Sequence, residues 1–265
     1  MAVTDTAKNG KDCLADIAAV NLREEILIPH PANRDELLRR KKHTPARLGC
    51  WRCGPRCLTG TLLRFRADHA AAMDAVFTEV PAEFLTRCGL FAVSTLCRSK
   101  DEYLTKPYLG RKFSDETIAF IQGKCRPAPS VQIYISDGLS GAAIEANAED
   151  TLQGALQGLK AGGIDCGTPF FVRYGRVRAM DEITEALNAK VTIVLIGERP
   201  GLATAESMSA YISYMGYPGM PENNNIVIAN IHRAGTPPVE AGAYIAHVAD
   251  RMLKQKVLSV HDLKL

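Results

Sequence analysis

Tryptophan occurs once in the 265 residues, aromatics make up 6% of them, and apolar runs are short. The longest such run, residues 191–196, is far below the roughly 20 residues a helix needs to span a bilayer, so no transmembrane helix is expected. The first fifteen residues mix polar and charged types and lack the apolar core of a secretory signal, which argues against export. Charge of one sign is scarce too: 32 basic side chains face 29 acidic ones, and a net charge of +3 gives no chain-wide field for nucleic acid or an anionic membrane. Eight cysteines are too sparse for a disulfide scaffold and suit a reducing compartment, where they serve as small buried apolar residues. A cytoplasmic chain without disulfides is the expectation.

Motifs are missing as well. No G-x-G-x-x-G follows a predicted strand, no G-x-x-x-x-G-K-[ST] is present and there is no nucleophile elbow, which weakens nicotinamide, flavin, nucleotide and hydrolase readings.

What is present is a 46% hydrophobic content, enough for a substantial core. Residues 12–40 carry Leu14, Ile17, Val20 and Leu22, then Leu37 and Leu38 after an IPHPAN break, and read as short amphipathic helices. Residues 39–66 hold Arg39, Arg40, Lys41, Lys42, Arg47, Arg52, Arg56, Arg64 and Arg66, interrupted by Pro45 and Gly54-Pro55, and read as a basic connector. Helical spacing returns over 62–80, and Pro81 falls where another helix begins. Beyond Ala128, short runs rich in β-branched residues alternate with helix-length segments, the pattern of βαβ units around a parallel sheet. Strands are expected at 131–136, 170–177, 191–196 and 226–231, and helices at 142–161, 181–189, 206–214 and 239–255. The predicted fold is therefore α/β, a mostly parallel Rossmann-like sheet with flanking helices, preceded by a mainly helical region. Its expected divisions are an arm and connector over 1–60, a helical region over 61–127 and a ligand-binding domain over 128–265.

Ligands of open α/β sheets sit outside the carboxyl ends of the strands, which directs attention to Ser136-Asp137-Gly138-Leu139-Ser140, Gly197-Glu198-Arg199-Pro200-Gly201 and the loop from His232 to Pro238. Glu198 follows an apolar strand and needs a partner, for which Arg199 is the nearest candidate. Asp137 suits either a ligand contact or an ordinary Asp-Gly turn, and His232 either a ligand contact or a cap for the helix that Pro237 or Pro238 begins. Cys50, Cys53 and Cys57, in C-x2-C-x3-C spacing beside Trp51, suit a zinc or iron-sulfur site or are incidental, since no fourth ligand is apparent.

Several blocks together resemble the ethanolamine ammonia-lyase light chain: Leu62-Leu63-Arg64-Phe65 with Asp68-His69, Tyr103-Leu104-Thr105-Lys106-Pro107, Ile135 to Ser140, Gly167 to Val177, Gly197 to Leu202, and Asn230 to Glu240. They occur in the family's order from about Leu62 onward; before that the resemblance fades. It implies a small subunit that joins a heavy subunit in a higher-order hetero-oligomer and forms part of an adenosylcobalamin site at their interface. The cofactor's cobalt–carbon bond supplies the radical, the heavy chain converts ethanolamine to acetaldehyde and ammonia, and no catalytic or metal-ligating residue is assigned to this chain. Family contacts to cobalamin carry over to Val177, Glu198 and Val227, the last standing where familiar members place a cysteine. None of the six histidines has an aspartate two places earlier, so the Asp-x-His-x-x-Gly loop of another cobalamin class is missing. In some relatives the N-terminal arm serves packaging into a bacterial microcompartment. Competing readings are a stand-alone small-molecule binding module and a metal-carrying assembly protein built on the Cys50 to Cys57 segment.

Overall fold

The computed structural model describes residues 16–17, 20–256 and 263, without the side chains of Cys53 and Glu222; Leu14, part of the first helical pattern, lies outside the described residues. Contacts divide the chain into two compact units, Met1–Ala70 and Ala71–Leu265.

In the first unit, α1 (Arg34–Lys42) starts at Asn33, whose side chain accepts the Glu36 N–H. It is the one α-helix among the described residues before Arg52: residues 20–33 run as turns and extended chain, because Pro29 and Pro31 remove N–H donors and restrict the residues ahead of them. The basic connector is more ordered than a connector. Arg39 to Lys42 form the last turn of α1, Arg52 and Arg56 sit in a small antiparallel hairpin of β1 (Arg52–Cys53) and β2 (Arg56–Cys57), and Arg64 and Arg66 belong to α2 (Thr59–Phe77). Arg64 ties this unit together, bonding Asp68 at 2.9 Å and donating to the carbonyls of Ile17 and Val20 at 2.9 and 2.6 Å.

The second unit adds α3 (Ala82–Arg87), β3 (Phe91–Ser94), α4 (Lys100–Thr105), α5 (Asp115–Lys124), β4 (Val131–Ser136), α6 (Gly141–Ala161), β5 (Phe170–Arg173), α7 (Ala179–Leu187), β6 (Val191–Gly197), β7 (Met208–Tyr214), β8 (Ile226–Ile231) and α8 (Pro238–Gln255). Pro81 stands at the N-cap of α3 as its position predicts, and serines at 99, 114 and 140 cap α4, α5 and α6 through their side-chain oxygens.

One six-stranded sheet, in the order β3-β5-β4-β6-β7-β8, forms the centre of this unit. The pairs β3–β5, β5–β4 and β4–β6 are parallel; β7 is antiparallel to both β6 and β8, so five of the six strands share one direction. The α/β class and mostly parallel sheet are as predicted. Two element assignments change. Residues 206–214, expected to be helical, contain β7: Met208, Ala210 and Ile212 are buried on one face, and Ser209, Tyr211 and Ser213 point to the other, the two-residue period of a strand. Four residues between helices, Phe91–Ser94, form the edge strand β3.

Both sheet faces are packed. On the first, α6 and α8 lie over Ile133, Ile135, Ile193, Leu195, Ala210, Ile212, Ile226 and Ile228. On the second, α5 and α7 cover Tyr134, Phe170, Val172, Val194 and Ile196 with Ile121, Met180 and Ile183. Each fully buried isoleucine or leucine contributes about 1.5–3 kcal/mol, so these layers hold the loops at the strand ends on a stiff frame. Helices α6 and α8 approach closely through glycine: a Cβ on Gly242 would lie 2.4 Å from the Thr151 carbonyl oxygen.

Candidate functional site

Strand order reverses between β4 and β6, the usual place for a ligand crevice. Here main chain fills it. The Leu139 N–H donates to the Gly197 carbonyl at 2.9 Å, and a Cβ on Gly138, whose φ is +54°, would lie 2.3 Å from that same oxygen. The N-terminus of α6 is closed as well, since Ser140 accepts the Ala143 N–H and a Cβ on Gly141 would lie 2.3 Å from the Thr78 carbonyl. Ligand-accessible surface therefore lies to the side, on the loops and strands that border this plug.

One border is the segment Tyr174 to Val177. Strand β5 was expected to continue to Val177 but stops at Arg173, because Tyr174 takes a left-handed φ of +58°. The turn is clamped by groups distant in sequence. Asp137 accepts the Tyr174 N–H at 2.7 Å, Thr95 donates to the Tyr174 carbonyl at 3.0 Å, and Ser136 accepts the Gly175 N–H at 3.2 Å. The Arg176 N–H bonds the Gly110 carbonyl at 2.7 Å, and the Arg176 guanidinium lies 4.1 Å from the Tyr103 ring centroid. Val177, at the end of this bracket, is half-buried against the second-face core just ahead of α7.

Asp137 is thus an internal strut and not a simple Asp-Gly turn. It is 6% exposed, and burial lifts its carboxyl from 3.8 to about 6, although Lys100 and the N–H groups of Tyr174 and Gly138 favour the charge. Lys100 is lowered, again mainly by burial, and its ammonium donates to the Gly138 carbonyl at 3.0 Å.

The other border is the second face of β7 and β8. Alternation puts Glu198 on the side of Val194 and Ile196, and its partner is Tyr211, whose hydroxyl donates to Oε1 at 2.9 Å. Arg199, the candidate from sequence, is exposed and forms no ion pair with Glu198 among the described residues. Across the next ladder Tyr211 faces Val227 on β8, and Val227 is 46% exposed. Glu198 and Val227 are therefore brought together through Tyr211, a residue hidden from sequence reading by its helical assignment. Val177 joins them only through the core cluster against which both it and Tyr211 pack. The result is an apolar floor edged by a carboxylate, fit to cover an apolar ligand edge while accepting an N–H.

His232 is occupied by its own loop. Its Nε2 pairs with Asn230 Oδ1 at 2.8 Å, while Nδ1 accepts the Ala234 N–H at 3.2 Å, which assigns the ring proton to Nε2. Asn230 itself sits at φ +61°, so the histidine braces a strained turn. Cys50 and Cys57 are free and partly buried, Cys53 lies outside the described side chains, and no group of three potential metal ligands converges among the described residues. Among those residues no helix is long and apolar enough to cross a membrane.

Comparison with known proteins adds a family. The family model described as ethanolamine ammonia-lyase light chain (EutC) matches residues 34–264. Proteins named ethanolamine ammonia-lyase small subunit are similar over nearly the whole length. That of Clostridium tetani is 52% identical over 262 residues, covering 99% of this chain and 88% of the relative. That of Fusobacterium nucleatum is 50% identical over 269 residues, covering 100% and 91%, and that of Listeria monocytogenes is 50% identical over 251 residues, covering 95% and 85%. The likeness thus reaches well ahead of Leu62, where the motifs alone fade.

Proposed function

The chain belongs to the ethanolamine ammonia-lyase light-chain family, and from that premise we propose that its second unit forms one side of an adenosylcobalamin site completed by the heavy subunit. Membership makes it a subunit of a lyase and implies a partner subunit. The proposal adds the cofactor, the heavy chain across the interface and a higher-order hetero-oligomer that turns ethanolamine into acetaldehyde and ammonia.

The observation that carries it is the pairing of Glu198 with half-buried Tyr211, which stands beside exposed Val227. Cobalamin presents an apolar corrin rim fringed with amide arms. A half-buried carboxylate that already accepts one hydrogen bond from Tyr211 keeps its other oxygen to accept an amide N–H, and Val227 with Val177 supplies apolar cover. The donor set therefore fits the group. When bound, adenosylcobalamin supplies the radical. This chain's residues would hold it: the clamped bracket at 174–177 fixes the position of Val177, which would cover an apolar edge, and Glu198 would accept an N–H from an amide arm. No residue of this chain is assigned a part in proton or hydrogen transfer.

The test is Glu198→Ala in the assembled enzyme, with cobalamin binding followed by titration. Loss of one charge-assisted hydrogen bond should weaken binding by about 1 to 3 kcal/mol while assembly is retained. Unchanged affinity would make Glu198 a structural residue of the Tyr211 pair. The same reading places the assembly in the cytoplasm and gives residues 1–40 a part in packaging into a protein-shelled microcompartment. Unchanged localisation after their deletion removes that second assignment.

A further inference from the structure

We infer that Tyr211 is a positioning residue for the cofactor site, acting by holding the Glu198 carboxylate in its binding orientation; the inference rests on the reading just given. An ionised carboxylate has no proton to give, so the 2.9 Å bond runs from the tyrosine hydroxyl to Oε1. The register shows how far the pair must reach. Tyr211 stands opposite Val194 and Ser209 opposite Ile196, while the Glu198 N–H bonds the Ser207 carbonyl two pairs further on. The Tyr211–Glu198 bond thus spans the Ile196–Ser209 pair, with both side chains leaning along the sheet toward each other.

Ser209 agrees with that geometry. It lies on the same face, is only 1% exposed, and its hydroxyl has no hydrogen-bond partner among the described residues. A small buried residue under the span leaves the Tyr211 ring free to lie along the strand, next to exposed Val227. Glutamate has three rotatable bonds and would otherwise be ordered only when a ligand arrives. Fixing it beforehand removes that entropic cost from binding. It also commits Oε1 to the tyrosine, so that Oε2 is the oxygen left to accept from a ligand.

The experiment compares Tyr211→Phe, Glu198→Ala and the double variant in the assembled two-subunit enzyme, titrated with cyanocobalamin by visible absorption and checked by thermal unfolding. Phenylalanine keeps the ring and its packing, so unfolding should be unchanged. Tyr211→Phe is expected to weaken binding about tenfold, and the double variant to bind no more weakly than Glu198→Ala. That coupling separates a positioning role from a merely structural one. If Tyr211→Phe binds like wild type while Glu198→Ala is weakened, the inference falls and the cofactor site stands. Multiplying losses in the double variant would also overturn it, because Tyr211 would then act independently of Glu198. If Glu198→Ala itself binds normally, the assignment of Glu198 to the cofactor fails and takes the inference with it.

Discussion

Replacing Asp137 by asparagine should remove a defined part of the protein's pH dependence. The folded carboxyl titrates near 6 and starts from 3.8, with burial as the leading cause, so this group favours the folded state most when protonated. Its contribution is complete below 3.8 and is lost as the pH rises through 6. The lift corresponds to a cost of about 3 kcal/mol at neutral pH, of which about 1.4 kcal/mol develops between pH 5 and pH 7.5. Asparagine resembles the neutral acid: its oxygen still accepts the Tyr174 N–H, and no charge is buried beside Ser136 and Gly138. Denaturant unfolding followed by far-UV circular dichroism, at pH 5 and pH 7.5, measures stability of wild type and variant in parallel. Histidines and the remaining carboxylates cancel in the comparison. Wild type should lose about 1.4 kcal/mol more than the variant over that interval. Equal pH dependence in the two proteins would show that the folded carboxyl is already ionised at pH 5 and is not lifted by burial, and the account of Asp137 as a raised, buried acid would fail.

Two glycines should respond in opposite directions to the same substitution. Gly242→Ala forces a methyl to within 2.4 Å of the Thr151 carbonyl and 2.8 Å of the Ala155 nitrogen, so α6 and α8 must part; a loss of about 1–3 kcal/mol is expected in denaturant unfolding. Gly123→Ala, within α5 and with no atom within 4 Å of the new methyl, should gain about 0.5–1 kcal/mol by the same assay, and a loss there would contradict the open geometry.

The parts of the fold that the sequence reveals are those whose signal is local. Strands β4, β6 and β8 are dense in β-branched residues, and the helical spacing over 142–161 marks α6. Strand β3 escapes because four residues between helices carry too little period, and β7 because its small serines and alanine also suit a helix; only the ladders to β6 and β8 decide between the two. The same division runs through the candidate site. Glu198 is noticeable by itself, as a carboxylate at the end of an apolar strand, and sequence reasoning correctly demands a partner for it. It then names the adjacent Arg199, because adjacency is all that a chain read in one dimension supplies. The partner is Tyr211, thirteen residues on, and the strut that shapes the Val177 bracket reaches Tyr174 from Asp137 across 37 residues. Register creates both contacts, and register is a property of the assembled sheet. A polar group that lacks a partner can therefore be recognised from composition and pattern, whereas the group that satisfies it becomes visible only once the strands are paired.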